Sequence, residues 1–99
     1  MRGERFAMAS DAWVYLLRCR DGSLYTGWTV DLDRRLAAHC AGTASRYTRS
    51  RLPVELALAL PMPDRTAARR EEARIKALPR AQKLAMLGAQ SLRARTAVP

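Results

Sequence analysis

Five side chains in this sequence have the types and spacing of a hydrolytic site. Tyr15 and Tyr25 stand on two short apolar runs, Arg35 and His39 follow four residues apart, and Glu72 lies well downstream. Cleaving a phosphodiester calls for a water nucleophile, charge neutralisation on the phosphoryl group and help for the leaving oxygen. Two phenols, a guanidinium, an imidazole and a carboxylate, brought together, meet those needs. The sequence must therefore fold so that a hairpin, the helix after it and a later helix converge.

The local signals support that convergence. Residues 13–19 are aromatic and branched and read as a strand, and residues 24–29 read as its partner, with Asp21-Gly22 as a hairpin turn between them. The loop type decides where the tyrosines point. A two-residue turn sets Tyr15 opposite Trp28 and sends the tyrosines to opposite faces. A three-residue loop with Gly22 left-handed sets Tyr15 opposite Gly27 and Leu17 opposite Tyr25, which puts both tyrosines on one face. If they share a site, the bulged hairpin is the expected form, with Gly27 leaving room beside Tyr15 for a substrate.

Thr29 or Asp31 can cap the next helix, whose apolar stripe is Leu32, Leu36 and Cys40, with Arg35 and His39 at its edge and Gly42 as its stop. Residues 41–51 are polar, basic and flexible in composition, the character of a phosphate-contacting loop carrying Arg46, Tyr47, Arg49 and Arg51. Residues 54–60 read as a third strand with Val54, Leu56, Leu58 and Leu60 on one face. A helix capped by Asp64 or Thr66 runs to about Leu78 and turns Ala68, Glu72 and Ile75 inward. A carboxylate on that stripe calls for a cationic partner or a metal ion, whereas Glu71 points about 100° away. Pro79 breaks this helix and opens another to about Ala89, with Leu84 and Leu87 inward.

Composition bounds the partners. The chain has 99 residues and a formal net charge of +9, and sixteen of its 18 basic residues are arginine. One domain is expected, over residues 12–89, with residues 1–11 as a mobile leader and residues 90–99 as a frayed basic tail. The arginine surplus points to a polyanion, nucleic acid first. Cys19 and Cys40 fit no zinc spacing and suit a cytoplasmic protein with free thiols. No apolar run has transmembrane length, so no membrane partner is expected.

Taken together, these residues resemble the GIY-YIG nuclease superfamily, and within it the small single-domain, UPF0213-like bacterial group. The first motif stands as Trp13-Val14-Tyr15 and the second as Tyr25-Thr26-Gly27. The helix signature runs from Thr29 to His39, and the basic segment with Tyr47-Thr48-Arg49, Arg51 and Pro53-Val54-Glu55-Leu56 follows. Asp64-Arg65 and the Glu72 helix complete it. Three positions depart from the pattern, Trp13 for a glycine, Thr26 for an isoleucine and Pro79 where a helix-capping serine or threonine is common, and none removes a reactive group.

The resemblance implies an α+β fold, a small three-stranded antiparallel sheet flanked by helices. It implies a metal-dependent DNA endonuclease with a role in repair or processing, using Mg²⁺ or Mn²⁺. Glu72 matches the metal-binding glutamate, and a single carboxylate suits an ion that keeps its water shell. Arg35 would pair with the phosphate and stabilise developing charge. Tyr15 is the first choice for the base that activates water, provided nearby cations lower its pKa, and Tyr25 would orient water. His39 would bond a phosphate or share the proton transfer. Contacts through Arg46, Tyr47, Arg49 and Arg51 imply weak sequence specificity, which leaves room for a protein partner that supplies it. The competing expectation is a nucleic-acid-binding module or adaptor of the same fold without catalysis.

Overall fold

Strands and helices alternate in blocks: β1 (Ala12–Arg18), β2 (Leu24–Thr29), α1 (Leu32–Ala41), α2 (Arg46–Arg49), β3 (Glu55–Met62), α3 (Arg65–Lys76) and α4 (Arg80–Ala97). The structure is a computed structural model and describes residues 11–97, with side chains as far as Ala89. The expected leader, Asp11 apart, lies outside the described residues, as do the side chains of the expected tail. The α4 backbone stays helical to Ala97, past the predicted end near Ala89.

The sheet is antiparallel with strand order β2-β1-β3. Tyr15 pairs with Gly27 and Leu17 with Tyr25, the register of the three-residue loop. The turn shows why: Gly22 sits at φ 85°, Cys19 N–H donates to the Ser23 carbonyl at 2.9 Å, and Gly22 N–H donates to the Cys19 carbonyl at 2.9 Å. A glycine takes that left-handed backbone without steric penalty.

Alternation along β1 divides the molecule into two cores. Ala12, Val14 and Leu16 face Leu58 of β3, Ala68 and Ile75 of α3, and Leu87 of α4, all buried. Trp13, Tyr15 and Leu17 face the opposite way with Leu32 of α1, and Tyr25, Leu36, Val54 and Ala59 pack around them.

Three packing expectations are corrected by this arrangement. The β1–β3 register slips after Leu16–Leu58, so that Leu17 pairs with Leu56 and Ala57 is left as the extra residue of a bulge. The bulge breaks the alternation of Val54, Leu56, Leu58 and Leu60: Val54 joins the Tyr15 face and Leu56 is 42% exposed. In α1 the inward stripe is Leu32, Leu36 and His39, and Cys40 is exposed. In α4 Leu87 is buried and Leu84 is exposed.

Candidate active site

The hairpin, α1 and α2 place four polar residues in one hydrogen-bonded chain. Asp31 starts α1 as its N-cap, accepting from Arg34 N–H at 3.1 Å, and Gly42 ends it at φ 81°. Between those stops, His39 falls on the face that meets the sheet and is fully buried. Its Nε2 lies 2.8 Å from Tyr15 Oη and its Nδ1 lies 2.9 Å from Thr48 Oγ1. Thr48 Oγ1 in turn lies 3.0 Å from Ser45 Oγ. With the proton on Nδ1, the ring donates to Thr48 and accepts from Tyr15, and Thr48 donates onward to Ser45, so each of these four side chains has a partner.

The segment expected to be a flexible loop contains the short helix α2, N-capped by Ser45, whose side chain accepts from Thr48 N–H at 3.2 Å. That turn carries Thr48 into the interior. Thr48 and Ser45 were missed by sequence reasoning. The signal was present as a serine followed three residues later by a threonine whose amide it caps.

The electrostatics give the two tyrosines different characters. Tyr15 is 2% exposed, and burial first, then Tyr25 and Glu72, push its hydroxyl far above the ordinary phenol range; Arg35 opposes them and is outweighed. The condition attached to Tyr15 as a free base, a pKa lowered by cations, is thus not met. Burial, and then the Arg35 charge, push His39 below its ordinary value, so it is neutral near pH 7. Tyr25 is half-buried and its ring meets His39 edge-on at 5.1 Å and Tyr15 at 6.5 Å between centroids. Its hydroxyl makes no hydrogen bond with any described residue.

Arg35 is exposed and its guanidinium has no hydrogen bond or ion pair among the described residues, yet its charge reaches both Tyr15 and His39. It is a free cation at the mouth of the buried chain. Glu72 lies on α3 between the buried Ala68 and Ile75. Its side chain is 20% exposed, its Oε2 lies 3.4 Å from Lys76 Nζ, and its charge also acts on Tyr15.

The remaining expected substrate contacts separate into two kinds. Arg46 and Arg49 are exposed and uncommitted. Arg51 is engaged within the protein: Nε meets Asp21 Oδ2 at 3.1 Å, Nη1 donates to the Tyr47 carbonyl at 3.0 Å, and the guanidinium lies 3.8 Å from the centre of the Tyr47 ring. Tyr47, 37% exposed, has its other neighbour in Tyr25, at 5.8 Å between ring centroids. Gly27 likewise leaves no room for substrate. A Cβ there would lie 2.5 Å from Tyr15 Oη and 2.7 Å from its ring, so the Tyr15 phenol itself fills the space. The absence of a side chain at Gly27 is what admits the tyrosine.

The architecture and these residues define a GIY-YIG protein, and comparison with known proteins agrees. The GIY-YIG catalytic domain matches residues 11–85. The chain belongs to the UPF0213 family of that superfamily. It is 54% identical over 77 residues to a UPF0213 protein of Xanthomonas axonopodis pv. citri, covering 78% of this chain and 76% of the relative. Two solution NMR structures are similar in fold. The UPF0213 protein BH0048 of Bacillus halodurans has a TM-score of 0.53 at 40% identity, over 79% of this chain and 83% of the other. The protein EF2693 of E. faecalis has a TM-score of 0.55 at 38% identity, over 81% and 85%. Among the described residues no helix is long and apolar enough to cross a membrane.

Proposed function

We propose that the chain is a metal-dependent endonuclease that hydrolyses phosphodiester bonds in DNA, with weak sequence preference and a role in repair or processing. The observation that carries this reading is the Tyr15 Oη–His39 Nε2 hydrogen bond of 2.8 Å behind the uncommitted Arg35. A buried phenol alone is a poor base at neutral pH. Coupled to a neutral imidazole it needs no phenolate. As Tyr15 takes a proton from the attacking water, its own proton passes to His39 Nε2 and the imidazolium keeps its Nδ1–H on Thr48. Tyr25, whose hydroxyl is uncommitted, orients the water, and Arg35 neutralises charge on the phosphoryl oxygens.

Among the described residues no group of three or more His, Cys, Asp or Glu side chains could hold a metal ion. The donor set therefore fits a hydrated hard cation such as Mg²⁺ or Mn²⁺ on the single carboxylate of Glu72, not a caged ion. When bound, such an ion supplies Lewis-acid stabilisation to the phosphoryl and leaving oxygens. A cytoplasmic setting goes with this reading, since Cys19 and Cys40 are free thiols. One observation favours the second reading, a binding module or adaptor: Glu72 already has a cationic partner in Lys76.

The test is cleavage of labelled linear, nicked and branched DNA with Mg²⁺, with Mn²⁺ and with chelator. Metal-dependent cutting is expected, reduced at least about a hundredfold in Glu72→Ala and in Tyr15→Phe. Salt-sensitive binding by the wild-type chain with no cutting under any metal would turn the assignment to the binding module.

A further inference from the structure

Next to Glu72, β2 and α3 border an open concavity of about 510 Å³, lined by Trp28, Thr66, Arg69, Arg70, Glu72 and Ala73. Its cations differ from their neighbours on the same helix. Arg74 is held by Glu71 through two hydrogen bonds, at 2.9 and 2.7 Å, and Lys76 pairs with Glu72 at 3.4 Å. The guanidinium groups of Arg69 and Arg70 are exposed and have no hydrogen bond or ion pair among the described residues. Both line the concavity, so an anion bound there can meet the donors of two uncommitted cations. Trp28, which forms another wall, is half-buried, although its strand neighbours Thr26 and Thr29 are buried. Part of its indole thus packs on the core and part faces the concavity.

We propose that this concavity binds one unpaired nucleotide next to the scissile phosphate, its base on the Trp28 indole and its phosphate on Arg69 and Arg70. The inference rests on the nuclease reading and adds a substrate class to it. The volume of about 510 Å³ falls in the range of about 300–1,000 Å³ typical of small-ligand sites, which suits one nucleotide. A base lays its face on an aromatic ring only when it has left its own stack. The site therefore selects single strands, flaps and frayed ends over intact duplex. Glu72 forms the wall shared with the proposed catalytic cluster, which places this nucleotide adjacent to the bond that is cut.

Fluorescence titration in chelator tests this without any turnover. The probes are a short single-stranded DNA oligonucleotide and the same sequence as a blunt duplex. The single strand is expected to quench tryptophan emission saturably and to bind about tenfold more tightly than the duplex. Trp28→Phe should lose the quenching while Trp13 still emits. Arg69→Ala with Arg70→Ala, both on an exposed helix face, should weaken single-strand binding about tenfold and lower the salt slope by about 0.7, the value for one phosphate. Equal quenching by duplex, no quenching by the single strand, or unchanged binding in the double arginine variant would each overturn the proposal. The two readings fail separately. Quenching without metal-dependent cleavage would remove hydrolysis and keep the site. Cleavage with unchanged single-strand binding in the arginine variants would remove the site and keep hydrolysis.

Discussion

On one face of the sheet, Val14 and Leu16 meet Leu58, Ala68, Ile75 and Leu87 in a contact made of apolar side chains. On the other, Tyr15 lies among Trp13, Leu17 and Leu32, but its hydroxyl enters a polar chain through His39, Thr48 and Ser45. The first face gains from area removed from water and asks little of direction. The second depends on hydrogen bonds whose donors and acceptors must match, because an unmatched buried group loses its hydration for nothing. The all-apolar contact lies on the face of α3 and α4, and the hydrogen-bonded polar chain on the face of α1 and α2, with Glu72 reaching towards it from α3. One strand serves both because its side chains alternate.

The largest expected effect sharpens this division. Leu16 is fully buried against the apolar side, and Leu16→Ala should cost about 2–5 kcal/mol. That is a large part of the 5–15 kcal/mol typical of a whole domain. Leu56, 42% exposed beside Leu17, should tolerate alanine within about 0.5 kcal/mol. Urea denaturation of both variants checks the contrast, and equal losses would dissolve it. Next comes Thr48→Val, which keeps the side-chain shape and leaves His39 Nδ1–H without an acceptor. It should cost about 1–3 kcal/mol and lower turnover at unchanged KM, with Thr48→Ser restoring most of both. A valine variant with wild-type stability and turnover would show that the polar chain is incidental.

The pH dependence of stability separates the faces again, since among the described residues the buried tyrosine and histidine both lie on the α1 face. His39 is held below its ordinary value by burial and by Arg35, so the folded chain resists its protonation. Below the unfolded pKa of about 6.5 the unfolded state binds more protons, and stability falls on acidification towards the lower folded value. The slope should not exceed about 1.4 kcal/mol per pH unit for this one proton. Tyr15 acts at the other end. Its raised value means that stability is lost above about pH 10, where the unfolded phenol ionises first. Melting curves of wild type and His39→Gln across pH 5–8 check the acid limb, and a His39→Gln protein with the same slope would remove His39 from it.

Much of this was legible in the sequence because the signals were local. Alternation located the hairpin, and the glycine in the turn, together with the demand that both tyrosines share a face, selected the register. Caps and breakers bounded α1 and α3, and the period of α3 turned Glu72 inward. What was not legible depended on contacts between distant segments. The bulge at Ala57 reverses the faces of β3 below Leu58, and nothing in residues 54–60 marks it. His39 and Cys40 are neighbours that compete for the inward position, and the hydroxyls of Tyr15 and Thr48, from two other elements, decide for the imidazole. Gly27 read as open space because the sequence does not say which side chain will occupy it. Arg51 read as a phosphate contact because its composition matches Arg46 and Arg49, and only the fold brings Asp21 to it.

That last difference supports the smallest prediction. Asp21 accepts from Ser23 N–H and hydroxyl at 3.0 and 2.6 Å and pairs with Arg51 at 3.1 Å. Those bonds, the Ser23 hydroxyl first, hold its carboxyl below the usual range. The pair is exposed, so it adds little to stability. Its effect is on position: it ties the hairpin turn to the segment that carries Tyr47 against Tyr25 and Thr48 against His39. Arg51→Ala should therefore lower turnover severalfold, leave the salt slope of DNA binding unchanged and barely shift the urea midpoint. Arg49→Ala should do the reverse, lowering the salt slope by about 0.7–0.9 and leaving turnover at saturating DNA alone. Binding isotherms across salt, paired with saturating kinetics, read both. If Arg51→Ala reduced the salt slope as Arg49→Ala does, its guanidinium would be reaching a phosphate, and the clasp would be an arrangement of the free protein only.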